Sequence, residues 1–164
     1  VLSTREADRN RNLPTVRKTV TYDPKSAELE AQLTDSAQKI ETLIDQLGKG
    51  SRIRMVYDYS HYAFRNMNLE NTVATALPYT AHIAVKDTIQ KGTATTFVLP
   101  GESGNMDYDR LLSMFFRGGY RGDVCCEVSS AVWRQPGYDP LVAAATCYRN
   151  MSTAFARQKI PRPH

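Results

Sequence analysis

The sequence predicts an α/β fold with a parallel sheet. Three apolar strands each precede a helical stretch, so consecutive strands run the same way. The strands read as near-continuous apolar runs, which implies burial on both faces. The helical stretches carry apolar residues at three- and four-residue spacing, so each lays one face on the sheet.

The chain has 164 residues, 41% of them hydrophobic, enough for one domain with a real core. No run approaches the roughly 20 apolar residues that span a bilayer. Val1 to Asp8 lacks the apolar segment of a secretory leader, so a cytoplasmic location and no membrane contact are expected. Cys125 and Cys126 are adjacent in a strand and Cys147 lies in a helix. None has metal-ligand spacing, and buried reduced thiols are the expectation for all three. Asn150-Met151-Ser152 is a glycosylation sequon inside a helix and carries little weight. The formal charge is +4, with Arg5, Arg9, Arg11, Arg17 and Lys18 near one end and Arg157, Lys159 and Arg162 near the other. Nucleic-acid binding needs such charges gathered on one face, so they read as solvated surface and no nucleic-acid partner is expected.

Residues 1–22 form a polar arm, with at most a short strand over 15–22. Residues 23–164 form the domain. Asp23-Pro24 is a cap with proline at the first helical position, and Leu33, Ala37, Ile40, Ile44 and Leu47 give a helix to residue 47. The first strand is Ile53–Tyr57, and its helix starts near Asn68 and ends at Pro78. The second strand is Ala81–Val85. A loop with a short β excursion over Thr93–Leu99 leads to a helix that opens at Asp107, buries Leu111, Leu112, Phe115 and Phe116, and stops at Gly118-Gly119. The third strand is Asp123–Val128, and the last helix runs from Asp139-Pro140 to about Phe155.

Ionisable residues stand at the end of every strand: Asp58 and His61, then Lys86 and Asp87, then Glu127. In parallel α/β folds reacting groups sit at the carboxyl ends of strands. Asp58-Tyr59-Ser60-His61 puts a carboxylate and an imidazole over one mouth, where they can hold a divalent ion or a substrate oxygen. The plainer alternative makes Asp58 a helix cap and His61 a surface residue.

Several motifs, in order, resemble those of the sugar phosphate isomerase/epimerase family, whose members are xylose-isomerase-like barrels. Asp58 to His61 is similar to its D-x-S-H element, and His82 to Asp87 to its H-h-H-h-K-D strand. Leu99-Pro100-Gly101-Glu102 resembles its L-P-G-E loop, Gly119 to Gly122 its G-Y-x-G turn, and Glu127-Val128-Ser129 its E-h-S strand. Order and spacing hold from about Arg52 to Phe155. The resemblance implies a partial (β/α) TIM barrel made of its last three to four βα units; a small doubly wound sheet fits the length but not the motifs. An eight-fold barrel needs about 250 residues, so a shortened product is expected, with an open edge that invites a homo-oligomer or a complementary half-barrel.

What the resemblance implies about chemistry is metal-assisted proton transfer on a hydroxy-carbonyl sugar or sugar phosphate. Asp58 and Glu127 match metal-binding carboxylates, with Mn, Mg, Co or Zn as the ion. Glu127, His61 and Lys86 are the catalytic candidates, and His61, His82 and Asp87 the substrate-binding ones. Two positions depart from the pattern. Ala84 stands where the family has a metal-binding histidine, and His82 lies one repeat, roughly 7 Å, deeper. No segment matches the family's earlier metal-binding glutamate, Asp23 being a weak stand-in. Lys86 points to the same side as Ala84 and can supply a fixed positive charge there. Two alternatives follow: an inactive half-barrel remnant or interaction module, and a metal-dependent phosphodiesterase like the related endonuclease. The second is disfavoured because the chain has three histidines.

Overall fold

The computed structural model describes residues 54–161 apart from Thr93, together with residues 38, 39, 42, 43, 45 and 46. Those six are helical, in keeping with the helix expected to end near residue 47. The arm over 1–22 and Asp23 lie outside the described residues.

The element order is β1 (Met55–Asp58), α1 (Tyr59–Ala63), α2 (Leu69–Ala76), β2 (Thr80–Val85), β3 (Asp87–Lys91), β4 (Ala94–Val98), α3 (Tyr108–Arg117), β5 (Asp123–Cys126), α4 (Ser130–Trp133) and α5 (Pro140–Arg157). Strands β1, β2 and β5 form a sheet in the order β1-β2-β5, both pairings parallel. The register slips once between Met55 and Val56, after which Asp58 stands opposite Ala84 and Ala84 opposite Cys125. β3 and β4 form a separate antiparallel hairpin. Its turn passes through Gly92 at φ +60, a conformation open to glycine.

The helices begin where their caps allow. Asn68 accepts from the Asn71 amide, Asp107 from Arg110, and Asp139 from Leu141 and Val142, with Pro140 in the first turn. α3 ends at Gly118 and Gly119, the latter at φ +91, and the Tyr120 amide turns back onto the Phe115 carbonyl.

Alternation along the strands divides the sheet into two unlike faces. Tyr57, Ile83 and Val85 point to one side, where they share a core with Val73 and Ala76 of α2, Leu111 and Phe115 of α3, and Met151 and Ala154 of α5. The other side carries Val56, Asp58, His82, Ala84, Cys125 and Glu127. Val56 is 57% exposed there, and Cys125 is exposed. A doubly wound sheet would carry helices on both faces; here α2, α3 and α5 share one face, as on the outside of a (β/α) barrel. The described strands do not close into a barrel. The expected burial of both strand faces therefore fails along β1 and β5, because no described strand lies across from their inner face.

The long segment between β2 and α3 is more ordered than its sequence implies. Asp87 opens strand β3 and is fully buried. Its carboxylate accepts from the amides of Thr88, Gly101 and Ser103, and from the Ser103 hydroxyl at 2.5 Å. Glu102 closes the same loop by accepting from the Leu99 amide. Asn150 of α5 donates to the Pro100 carbonyl at 2.7 Å, so the sequon asparagine is engaged in packing. Replacing Asp87 by alanine strands two loop amides, and unfolding free energy should fall by about 2–3 kcal/mol in urea titration. Hydrogen exchange at Gly101 and Ser103 should accelerate; unchanged exchange would show that another group holds the loop.

The cysteines divide three ways. Cys147 is buried, Cys126 half-buried and Cys125 exposed, which corrects the expectation that all three are buried. Cys125 faces the open side of β5, while Cys126 faces Cys147 and the helices. Burial, and then the neighbouring Cys147, pushes the Cys126 thiol up to about 12. Iodoacetamide at neutral pH should label Cys125 first and leave Cys126 and Cys147 unmodified in the folded protein, as read by peptide mass spectrometry. Equal labelling of Cys125 and Cys126 would contradict the two-faced sheet.

Candidate active site

The parallel sheet brings the carboxyl ends of β1, β2 and β5 side by side. Asp58 is the last residue of β1. Lys86 follows β2, and Glu127 follows β5 with its amide still donating to the Val85 carbonyl. Period-two alternation points all three inward, on the face of Ala84.

Lys86 joins them. Its Nζ lies 2.8 Å from Asp58 Oδ2 and 2.7 Å from Glu127 Oε1. The Lys86 side chain is 5% exposed, against 15% for Asp58 and 46% for Glu127. Burial pulls the ammonium pKa down. The hydrogen bonds and charges of Asp58 and Glu127 outweigh it and leave Lys86 above the ordinary lysine value. An ammonium has three N–H donors, and the two carboxylates take two of them.

Each partner is itself fixed. Asp58 Oδ1 accepts from the Ser60 amide at 3.1 Å and the Ser60 hydroxyl at 2.7 Å, so Asp58 is also the cap of α1. The helix-cap reading of Asp58 is the one seen: Oδ1 caps the helix, while Oδ2 meets Lys86. His61 Nε2 stands 3.3 Å from Asp58 Oδ2, and half the imidazole is open to solvent. Tyr108 of α3 donates to the Lys86 carbonyl at 3.0 Å. Burial pushes its phenol far above the tyrosine range, so it stays a donor.

The hairpin roofs this cluster. Phe97 of β4 lies with its ring centroid 5.0 Å from Lys86 Nζ and 5.8 Å from the His61 ring. Phe64 sits against both Phe97 and His61. Gln90 of β3 donates to the Phe64 carbonyl, pinning the hairpin to the end of α1. The roof is apolar where it faces the ammonium, which strengthens the ion pairs beneath it.

Asp58, His61, Lys86 and Glu127 are thus brought together as the sequence suggests. His82 is not. It pairs with Val56 and Asp123 at the other end of the sheet, about 13 Å along the strand from Lys86. Asp87 is beside Lys86 in sequence, but its carboxylate turns into the loop over 99–103. Phe97 and Phe64 escape a sequence reading, and Ser60, the serine of the D-x-S-H element, shows its grip on Asp58 only in the structure. The only signal for Phe97 is its place just before Leu99-Pro100-Gly101.

A divalent ion fits this donor set poorly. Among the described residues no three His, Cys, Asp or Glu side chains form a metal-holding group. The carboxylate oxygens a metal would use face the Lys86 ammonium, and Ala84 offers no donor.

Three cavities, of about 590, 330 and 320 Å³, lie elsewhere, along α3, α5 and the amino end of the sheet. None of the three is lined by Asp58, His61, Lys86 or Glu127. No described helix is long and apolar enough to cross a membrane.

Comparison with known proteins agrees with this architecture. No curated protein and no solved structure matches the chain. The family model for xylose isomerase-like TIM barrels matches residues 25–150, more than half of the sequence. Parallel strands, helices on one face and ionisable groups at the strand ends fit that match, and the chain belongs to the xylose isomerase-like TIM barrel family.

Proposed function

We propose that the chain moves a proton on a carbon next to the carbonyl of a sugar or sugar phosphate, as an isomerase or epimerase of the hydroxy-carbonyl class. The observation that carries this reading is the bridge Asp58–Lys86–Glu127 at the ends of three adjacent parallel strands. Abstracting such a proton needs a base, and a positive group where charge develops on the carbonyl oxygen. Glu127 is the base: it is half open, and only one of its oxygens meets Lys86 among the described contacts. Lys86 offers its third N–H to the carbonyl oxygen. As Glu127 takes the proton, the electron pair moves onto that oxygen and the ammonium stabilises it. Return of the proton to the neighbouring carbon, as that carbon's hydroxyl proton passes to the first oxygen, isomerises the sugar; epimerisation instead takes a proton from water on the opposite face, and Glu127 later gives its proton to solvent. His61, exposed beside the mouth, holds a substrate hydroxyl. Asp58 positions Lys86 and His61, since both of its oxygens already accept hydrogen bonds.

A non-catalytic half-barrel is the second reading, favoured by the exposed inner face around Val56 and Cys125. A surface of that kind suits a second copy of the chain or a complementary half-barrel. The phosphodiesterase reading loses support, because His61 and His82 lie at opposite ends of the sheet and cannot share a multi-metal cluster.

The test is solvent exchange. A panel of aldoses, ketoses and their phosphates is incubated with the protein in D₂O, and carbon-bound deuterium is followed by NMR. Wild-type protein should exchange the proton next to the carbonyl of at least one member. Glu127→Gln should slow that exchange about 10²- to 10⁴-fold, the usual worth of a positioned base. Exchange at the wild-type rate in Glu127→Gln, or none with any compound, would hand the case to the half-barrel.

A further inference from the structure

Building on the proposed proton transfer, we infer that Lys86 stands in for a metal ion, so that this site works with a cation carried by the chain itself. The bridge supplies the geometry. One nitrogen lies 2.8 and 2.7 Å from carboxylate oxygens of two different strand ends. A divalent ion between them would need oxygens at about 2.0–2.2 Å and at least one further ligand. The ammonium and a dication cannot both sit there, since like charges would share one small space.

The surroundings lock this choice in. Ala84 lies on the same face, one side-chain repeat below Lys86, and has no donor atom. The Lys86 side chain is almost wholly enclosed, with the Phe97 ring over its ammonium and Tyr108 holding its carbonyl. It is not a surface lysine free to swing away. The ammonium's remaining N–H can meet a substrate oxygen, such as the carbonyl oxygen of a sugar.

Equilibrium dialysis of the full chain against Mn²⁺ and Zn²⁺ tests this directly. Wild-type protein should take up no stoichiometric metal, and EDTA should leave any solvent exchange of substrate protons unchanged. Lys86→Met frees Asp58, Glu127 and His61, and Mn²⁺ or Zn²⁺ should then bind at least about tenfold more tightly than to wild type. His61→Ala in the Lys86→Met background should remove that gain. Stoichiometric binding to wild type that Asp58→Asn abolishes would overturn the inference, and so would a Lys86→Met variant with no gain. Should Lys86→Met fail to fold, the wild type decides alone through its Lys86 ammonium resonance: unbroadened by Mn²⁺ it supports the inference, erased it refutes it. These readouts concern binding, so they stand whether or not deuterium exchange is found. Absence of exchange alone sinks the catalytic reading and leaves the lysine assignment in place.

Discussion

An ammonium enclosed by three strand ends needs negative partners, and the organisation of this site follows from that need. Taking a charge out of water costs several kcal/mol per ion after relaxation. Asp58 and Glu127 offset the cost for Lys86, one from each flanking strand. Asp58 stands opposite Ala84, and Glu127 follows Cys126, the partner of Val85, so the Lys86 side chain spans the step between them while β1, β2 and β5 run parallel. Removing either carboxylate leaves a partly unpaired buried cation, the costly outcome for a buried pair. The three strand ends are thus coupled, and the register is tied to the chemistry at the mouth.

The hairpin and its loop are subordinate to this arrangement. Tyr108 and Asp87 act on either side of Lys86: one holds its carbonyl, the other ties the next residue to the loop over 99–103. Asp87 is a charged residue with no exposure, and four hydrogen bonds satisfy it. The loop in turn carries β4 into place, and β4 carries Phe97 over the ammonium. A buried aspartate one residue from the site thereby sets how dry the site is without facing it.

Much of this was legible in the sequence, and the misses share a cause. Strand-then-helix order, the caps at Asn68, Asp107 and Asp139, and the stop at Gly118-Gly119 are local signals, and the structure keeps them. The convergence of Asp58 and Glu127 was readable because strand ends in parallel sheets must align. What was not readable depends on contacts between distant segments. β3 begins at the very residue expected to line the mouth, because Asp87 pairs with Val98 across a hairpin whose first strand, Asp87-Thr88-Ile89-Gln90-Lys91, is too polar to announce itself. Phe97 reads as one more apolar strand residue until the hairpin folds it over Lys86. The continuous apolar runs of β1 and β5 suggest burial on both faces, whereas only the helix side is covered in the described residues.

Alternation along β2 places Ala84 directly beneath Lys86. His82, Ala84 and Lys86 form one inward column, because side chains two apart share a face. With alanine at position 84, the column holds a single cationic group at the top and a small side chain beneath it, leaving room for the lysine stem to pack at almost no exposure. The small side chain at 84 and the enclosed Lys86 form a single packing arrangement. Its consequence is chemical: the positive charge at the mouth is covalently attached and stays in register with Asp58 and Glu127 for as long as the strands stay paired.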